Sequence, residues 1–238
     1  LLESTNELLV TFYSQLLAPL PEINVFQQLI IVPHGLLHYI PFHALRDRDH
    51  YLLETHALSY APSATVLHRV LTNHYLVPQD PPLIFGVTDA SIPQVEAEIA
   101  GLRDLFPTAH IYCGPEATTT KLLAETWRPP FLHISTHAMF RGDNPDFSSL
   151  KLADKWLSVK EIYHLATAAP LVTLSACETG RNEIKSGDEL IGLCRGFFSI
   201  GTQALVVSLW RVEDQTTADL MLDFYAVLKS GLPVYHAL

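Results

Sequence analysis

Basic residues are scarce in this chain. Lys and Arg number 15 against 25 Asp and Glu, a net charge of −10, and the few cations are scattered. A protein that grips a phosphate backbone needs a clustered basic face, so direct nucleic-acid binding is not expected. Cysteine is sparse too: Cys113, Cys177 and Cys194, with no paired spacing. That argues against a disulfide framework and for a reducing compartment, with the cytoplasm as the expected location. Long apolar runs are missing. The longest, such as Ala204 to Trp210, fall far short of the roughly 20 residues that span a bilayer, so no membrane association is expected. The opening LLESTNELL has no basic stretch ahead of an apolar one, so it does not read as a signal peptide. It reads as the middle of a helix, and the segment is expected to belong to a longer chain. G-x-G-x-x-G and Walker A patterns are absent, which removes the usual nucleotide sites. G-x-S-x-G is absent as well, so Ser175 is not a nucleophile elbow.

What is present is a globular composition. Of 238 residues, 48% are apolar and 17% charged, enough for one large domain or two small ones. Residues 1 to 20 read as an amphipathic helix, with Leu8, Leu9, Phe12, Leu16 and Leu17 on one face and Pro19 and Pro21 as its stop. Leu29 to Val32 reads as a buried strand and Pro33-His34-Gly35 as a turn. Tyr39 to Leu45 reads as a second short strand, RDRDHYL as a loop tip, and residues 57 to 63 as another strand. Ser63 suits an N-cap for a helix over 64 to 71. PQDPP (78 to 82) is the best internal boundary. It separates a supporting part, 1 to 80, from an α/β part, 81 to 238.

In the second part, strands are expected at 83–87, 110–113, 131–137, 171–175 and 204–210. Helices are expected at 93–106, 118–126, 159–165, 188–200 and 215–229, and a hairpin at 148–158. That alternation predicts an α/β fold with a mostly parallel sheet and helices on both faces. Two of the strands carry chemistry. LVTLSACETG (171 to 180) is an apolar run that stops on Cys177 and enters a polar loop with Gly180. FLHISTHAMF (131 to 140) is an apolar run that stops on His137, 40 residues earlier. That is room for one excursion and one helix, so the two strands can be parallel neighbours. A thiol and an imidazole then meet at the carboxyl edge of a sheet, where open α/β sheets place their ligands. A cysteine nucleophile needs that juxtaposition.

The other candidates read as structure. Cys113 lies within a strand, and Cys194 lies on an apolar helix face beside Leu190, Leu193 and Phe197. His34, His38 and His43 fall in turns and loops. His133 and His137 are spaced HxxxH, but on a strand such residues merely share a face, and no third ligand follows. Neither a metal nor a cofactor is called for.

Four blocks in order give the chain a family likeness: VPHGLLHYIPFHAL (32 to 45), LSYAPSATVL (58 to 67), the FLHISTHAMF–SSLKL–LVTLSACETG series, and GDELIGLCRGFFSIGTQALVVSLWRVEDQTTADLMLDFY (187 to 225). Together they resemble the CHAT domain, a caspase-like cysteine peptidase family related to separase and often joined to tetratricopeptide repeats. The resemblance implies a regulated endopeptidase with Cys177 as nucleophile and His137 as general base. It implies an oxyanion hole from the backbone N–H of Cys177 and of Ala138, where caspases have Gly. It also implies a substrate pocket near Ser175 and Asp214, the latter standing where separase uses an aspartate to hold a P1 arginine. Asp214 is equally suited to cap the helix that starts near Gln215, Asp188 and Glu189 suit the dipole of the helix they open, and Trp210 reads as pocket wall or core. The implied partners are a protein or peptide substrate and a regulatory repeat region. A non-catalytic caspase-like scaffold or signalling module is the alternative reading.

Overall fold

Phe131–Met139 and Leu171–Glu178 are the two longest strands, and they lie side by side in parallel. The computed structural model describes residues 2–72, 77–124, 126–141, 144–178, 188–208 and 212–238. For Cys177 and Glu178 it describes the backbone alone. The chain forms two compact units, Leu1–Leu67 and His68–Leu238.

The first unit contains helix α1 (Leu2–Leu16), strand β1 (Gln28–Ile31), the short helix α2 (Leu52–Thr55) and strand β2 (Ala57–Tyr60), which pairs in parallel with β1. Leu17, Phe42, Leu45 and Leu52 form its small core. The expected strand over Tyr39 to Leu45 is absent. Two 3-10 turns, Gly35–Tyr39 and Phe42–Ala44, take its place. Pro41 lies between them and has no N–H to offer a sheet ladder. Gly35 enters the first turn at φ 56°, which a side chain would disfavour. Helix α3 (Ala64–Thr72) follows, and Ser63 accepts from the Val66 N–H at 3.2 Å, the cap its sequence suggests.

The second unit is built on a parallel sheet. Its strands are β3 (Leu83–Gly86), β4 (His110–Cys113), β5 (Phe131–Met139), β8 (Leu171–Glu178) and β9 (Ala204–Val207), in the spatial order β4-β3-β5-β8-β9. The antiparallel hairpin β6 (Ser149–Lys151) and β7 (Trp156–Ser158) extends it. β8 still covers β5 at Ala138, so β6, which also pairs with Ala138 and Met139, occupies the opposite edge of β5, beyond the end of β3.

Helices cover both faces. On one, Val95, Ile99 and Leu102 of α4 (Val95–Leu105) and Met221, Phe224 and Tyr225 of α8 (Asp214–Lys229) pack on Ile84, Phe131, Leu171 and Val206. On the other, Leu122 of α5 (Thr119–Ala124), Val159 and Ile162 of α6 (Val159–Ile162), and Leu193 and Phe197 of α7 (Asp188–Ser199) pack on Leu83, Phe85, Ile134 and Leu174. A short helix, α9 (Val234–Ala237), ends the chain. Each of these large buried side chains contributes about 1.5–3 kcal/mol by leaving water. α4 approaches β3 closely because position 86 is glycine; a Cβ there would stand 2.6 Å from Ile99 Cγ1.

Two further expectations need correction. The Cys177 strand does not stop at Ser175; it runs on to Glu178. The sequence Ser-Ala-Cys-Glu looks like a loop in isolation, yet β5 continues beside it and offers a ladder partner at every step from Phe131↔Leu171 to Ala138↔Glu178. Asp214 does not occupy the N-cap of α8. Glu213 holds that position, and Asp214 is the first residue of the helix.

Candidate active site

The residues of β5 alternate between the two faces of the sheet, as do those of β8. One phase on β5 reads Phe131, His133, Ser135, His137. The matching phase on β8 reads Leu171, Thr173, Ser175, Cys177. Both phases begin apolar under α4 and α8 and turn polar toward the carboxyl ends of the strands. The register pairs His137 with Cys177, Ser135 with Ser175 and His133 with Thr173. Neighbouring strands lie about 4.8 Å apart, so the backbones at 137 and 177 are adjacent.

The His137 ring is buried, with 5% of its side chain exposed. Its Nε2 lies 2.8 Å from Asp89 Oδ2 and 3.3 Å from Ser91 Oγ. Its Nδ1 is buried without a hydrogen-bond partner among the described residues. Asp89 follows the carboxyl end of β3. Its Oδ1 accepts from the Ser91 hydroxyl at 2.6 Å and the Ser91 N–H at 2.9 Å, and its Oδ2 also accepts from Lys151 Nζ at 3.2 Å. The Ser91 hydroxyl and N–H, with His137 and Lys151 adding to them, hold the Asp89 carboxyl well below the usual carboxylate range. An ionised Asp89 accepts the proton on Nε2. A neutral His137 so held presents a bare lone pair at Nδ1, the ring nitrogen nearer the backbone.

Below this pair, two residues further in, lies a buried polar cluster. Glu98 of α4 is 2% exposed, and its Oε2 accepts from Ser135 Oγ at 2.6 Å and from Ser175 Oγ at 3.1 Å. Its Oε1 lies 3.3 Å from His133 Nε2, close enough for an ion pair but out of hydrogen-bond alignment. His133 Nδ1 meets the Tyr225 hydroxyl at 3.3 Å, and that hydroxyl donates to Thr173 Oγ1 at 2.8 Å. One carboxylate from α4 and one phenol from α8 thus tie the two central strands together.

Ser175 lies under α4, and its hydroxyl is committed to Glu98. Asp214 holds another helix: its Oδ2 accepts from the N–H of Gln94, the residue that opens α4, at 2.8 Å. Ala138 is 1% exposed and is flanked by Leu150 on one edge and Glu178 on the other. Burial pushes the Cys194 thiol up to about 12, as befits a packed hydrophobe, and Cys113 ends β4 partly exposed. His43 meets the Tyr60 hydroxyl at 3.0 Å within the first unit. Thr179, Gly180 and Trp210 lie outside the described residues, as do the side chains of Asp188 and Glu189. Among the described residues, no group of three or more His, Cys, Asp and Glu could hold a metal ion. No helix among them is long and apolar enough to cross a membrane.

The sequence reading missed Asp89, Lys151 and Glu98. Asp89 had a usable signal, since it stands just past a strand end, as His137 and Cys177 were read to do. Glu98 had another: it lies on the same helix face as Val95, Ile99 and Leu102, where an acid needs a buried partner.

The model of the CHAT domain matches residues 6–238. The chain belongs to the CHAT domain family. Two curated relatives are tetratricopeptide repeat protein 28 of Mus musculus, 21% identical over 87% of this chain, and its Homo sapiens counterpart, 23% identical over 89%. In each case the match takes up 11% of the relative's length, so the chain spans about a tenth of the curated proteins it resembles. Membership of the CHAT family agrees with the α/β architecture, whose mostly parallel sheet and two helical layers are those of a caspase-like fold.

Proposed function

We propose that this CHAT domain is a cysteine endopeptidase in which Cys177 is the nucleophile and His137 the general base. The observation that carries this reading is the register pairing of His137 with Cys177 at the carboxyl edge of the sheet, with Asp89 fixed on the far nitrogen of the ring. Nδ1 takes the thiol proton, and the thiolate attacks the scissile carbonyl carbon. The tetrahedral oxyanion collapses, the C–N bond breaks, and the imidazolium gives its proton to the leaving amine. Water, deprotonated by the same nitrogen, then attacks the thioester; the carboxylate product leaves and the thiol is restored. Asp89 keeps the productive tautomer and stabilises the imidazolium while it exists.

The N–H of Cys177 is the principal oxyanion donor. The N–H of Ala138 joins it by yielding its place in the sheet ladder. Asp214 and Ser175 favour a basic P1 side chain, each by exchanging a present bond, to Gln94 and to Glu98, for one to substrate. The relatives' name mentions tetratricopeptide repeats, so a repeat region adjoining this domain is the proposed controlling partner. The strand pairing that runs through His137↔Cys177 and Ala138↔Glu178 favours a second reading, a caspase-like scaffold without catalysis, because an N–H engaged in the ladder is not open to an oxyanion.

A fluorogenic peptide library varied at P1, assayed with wild-type and Cys177→Ala protein, separates the two. Cleavage that needs Cys177 supports the peptidase, and an Arg or Lys preference supports Asp214 in the pocket. If Cys177→Ala cleaves as well as wild type, the mechanism is wrong.

A further inference from the structure

We propose that Lys151 is a positioning residue for the His137 centre: its ammonium shares one carboxylate oxygen of Asp89 with the imidazole and so limits the positive charge the ring can carry. The assignment rests on the reading of Cys177 and His137 as nucleophile and base, and it adds the element that tunes them.

The geometry is specific. Lys151 Nζ and His137 Nε2 both contact Asp89 Oδ2, at 3.2 and 2.8 Å, so the two nitrogens stand no more than about 6 Å apart. The strand register leads to the same place. β6 pairs antiparallel with β5 at Ala138↔Leu150, and one further step of that register sets Lys151 opposite His137. The backbone there is pinned, since Thr136 Oγ1 donates to the Lys151 carbonyl. His137 therefore has Cys177 in register on one edge and Lys151 on the other. The remaining titratable or charged groups near the ring, among the described residues, are Asp89 from the β3–α4 loop, Glu98 from α4, His133 one strand step inward, and Asp214 from α8, held at the start of α4.

A carboxylate on Nε2 alone favours a charged ring. A charged ring suits the thiolate but cannot take a proton. A lysine on the same oxygen opposes that charge. Two cations that share one oxygen oppose each other, even with Lys151 half exposed at 40%. Lys151 thus opposes a second positive charge on the ring without breaking the ring's bond to Asp89.

The test follows the rate of iodoacetamide alkylation at Cys177 against pH, read by mass spectrometry of the peptide that contains it, in the whole 238-residue chain. It needs no substrate. In Lys151→Met the imidazolium forms more readily and stabilises the thiolate, so the pH of half-maximal alkylation falls by about one unit. Lys151→Arg keeps the cation and keeps the wild-type profile within a few tenths of a unit. In an Asp89→Asn background, Lys151→Met has no further effect, because the anchor of the ammonium is gone. An unchanged or raised midpoint in Lys151→Met overturns the proposal, including when the melting temperature falls, which would make Lys151 a structural strut. If His137→Ala leaves the wild-type profile unchanged, the nucleophile–base reading fails first and takes this assignment with it.

Discussion

Asp89 Oδ2 meets His137 at Nε2, the ring nitrogen remote from the backbone, and leaves Nδ1 buried and without a hydrogen-bond partner among the described residues. The choice of nitrogen matters. The residue in register on the next strand is Cys177, and the near nitrogen is the one a neighbouring strand can reach. An amide at position 89 can present its NH2 to Nε2, which stabilises the opposite tautomer and puts the proton on Nδ1, where a base must be bare. Asp89→Asn is expected to lower kcat for peptide cleavage by about 10²-fold or more, with KM changed far less, because the loss appears after binding. Steady-state kinetics on the best library peptide checks this. Equal kcat in the two proteins would remove Asp89 from the mechanism.

The same carboxylate makes a pH-dependent contribution to folding. Its folded-state pKa is depressed, chiefly by the Ser91 hydroxyl and N–H, below the unfolded value near 3.9. A depressed acid stabilises the fold above the unfolded pKa, and that contribution is lost as pH falls through the folded one. The stability gap between wild type and Asp89→Asn is therefore expected to hold near pH 5 and to narrow progressively as pH falls below about 4. Urea denaturation at stepped pH reads the gap directly. Parallel curves for the two proteins would show that the Asp89 bonds add nothing to stability.

The architecture was legible because its signals are local. The apolar runs expected as strands at 83–87 and 204–210 are strands in the fold over Leu83–Gly86 and Ala204–Val207, with residues 209 to 211 outside the described residues. His137 and Cys177 were legible as a pair because both close such runs. What escaped the sequence depends on a neighbour. The final residues of β8, Ala176 to Glu178, are strand because β5 lies beside them, not because of their own propensity. Residues 39 to 45 have apolar content that suits a strand, but Pro41 outweighs it. Asp214 looked like the cap of its own helix, yet its carboxylate serves Gln94, 120 positions earlier in the chain. Asp89 and Lys151 acquire meaning only once β3, β5 and β6 lie side by side.

Glu98 carries the largest expected penalty. Its carboxylate is 2% exposed and supplies the acceptor for both Ser135 and Ser175, with His133 3.3 Å from its other oxygen. Glu98→Ala removes the acceptor and leaves two hydroxyls and a ring nitrogen buried without it. Each stranded polar group costs about 1–3 kcal/mol, and breaking a buried ionic partner typically costs about 3–5 kcal/mol. Glu98→Ala is expected to lose at least about 3 kcal/mol in equilibrium urea denaturation. The sharper comparison replaces the network rather than one member. Glu98→Leu combined with Ser135→Ala and Ser175→Ala leaves fewer polar groups stranded, so the triple variant is expected to be more stable than Glu98→Leu alone, despite two more substitutions under α4. Additive losses across the three positions would mean that the serines do not depend on Glu98, and the clamp between β5 and β8 would then have to rest on Tyr225 and Thr173.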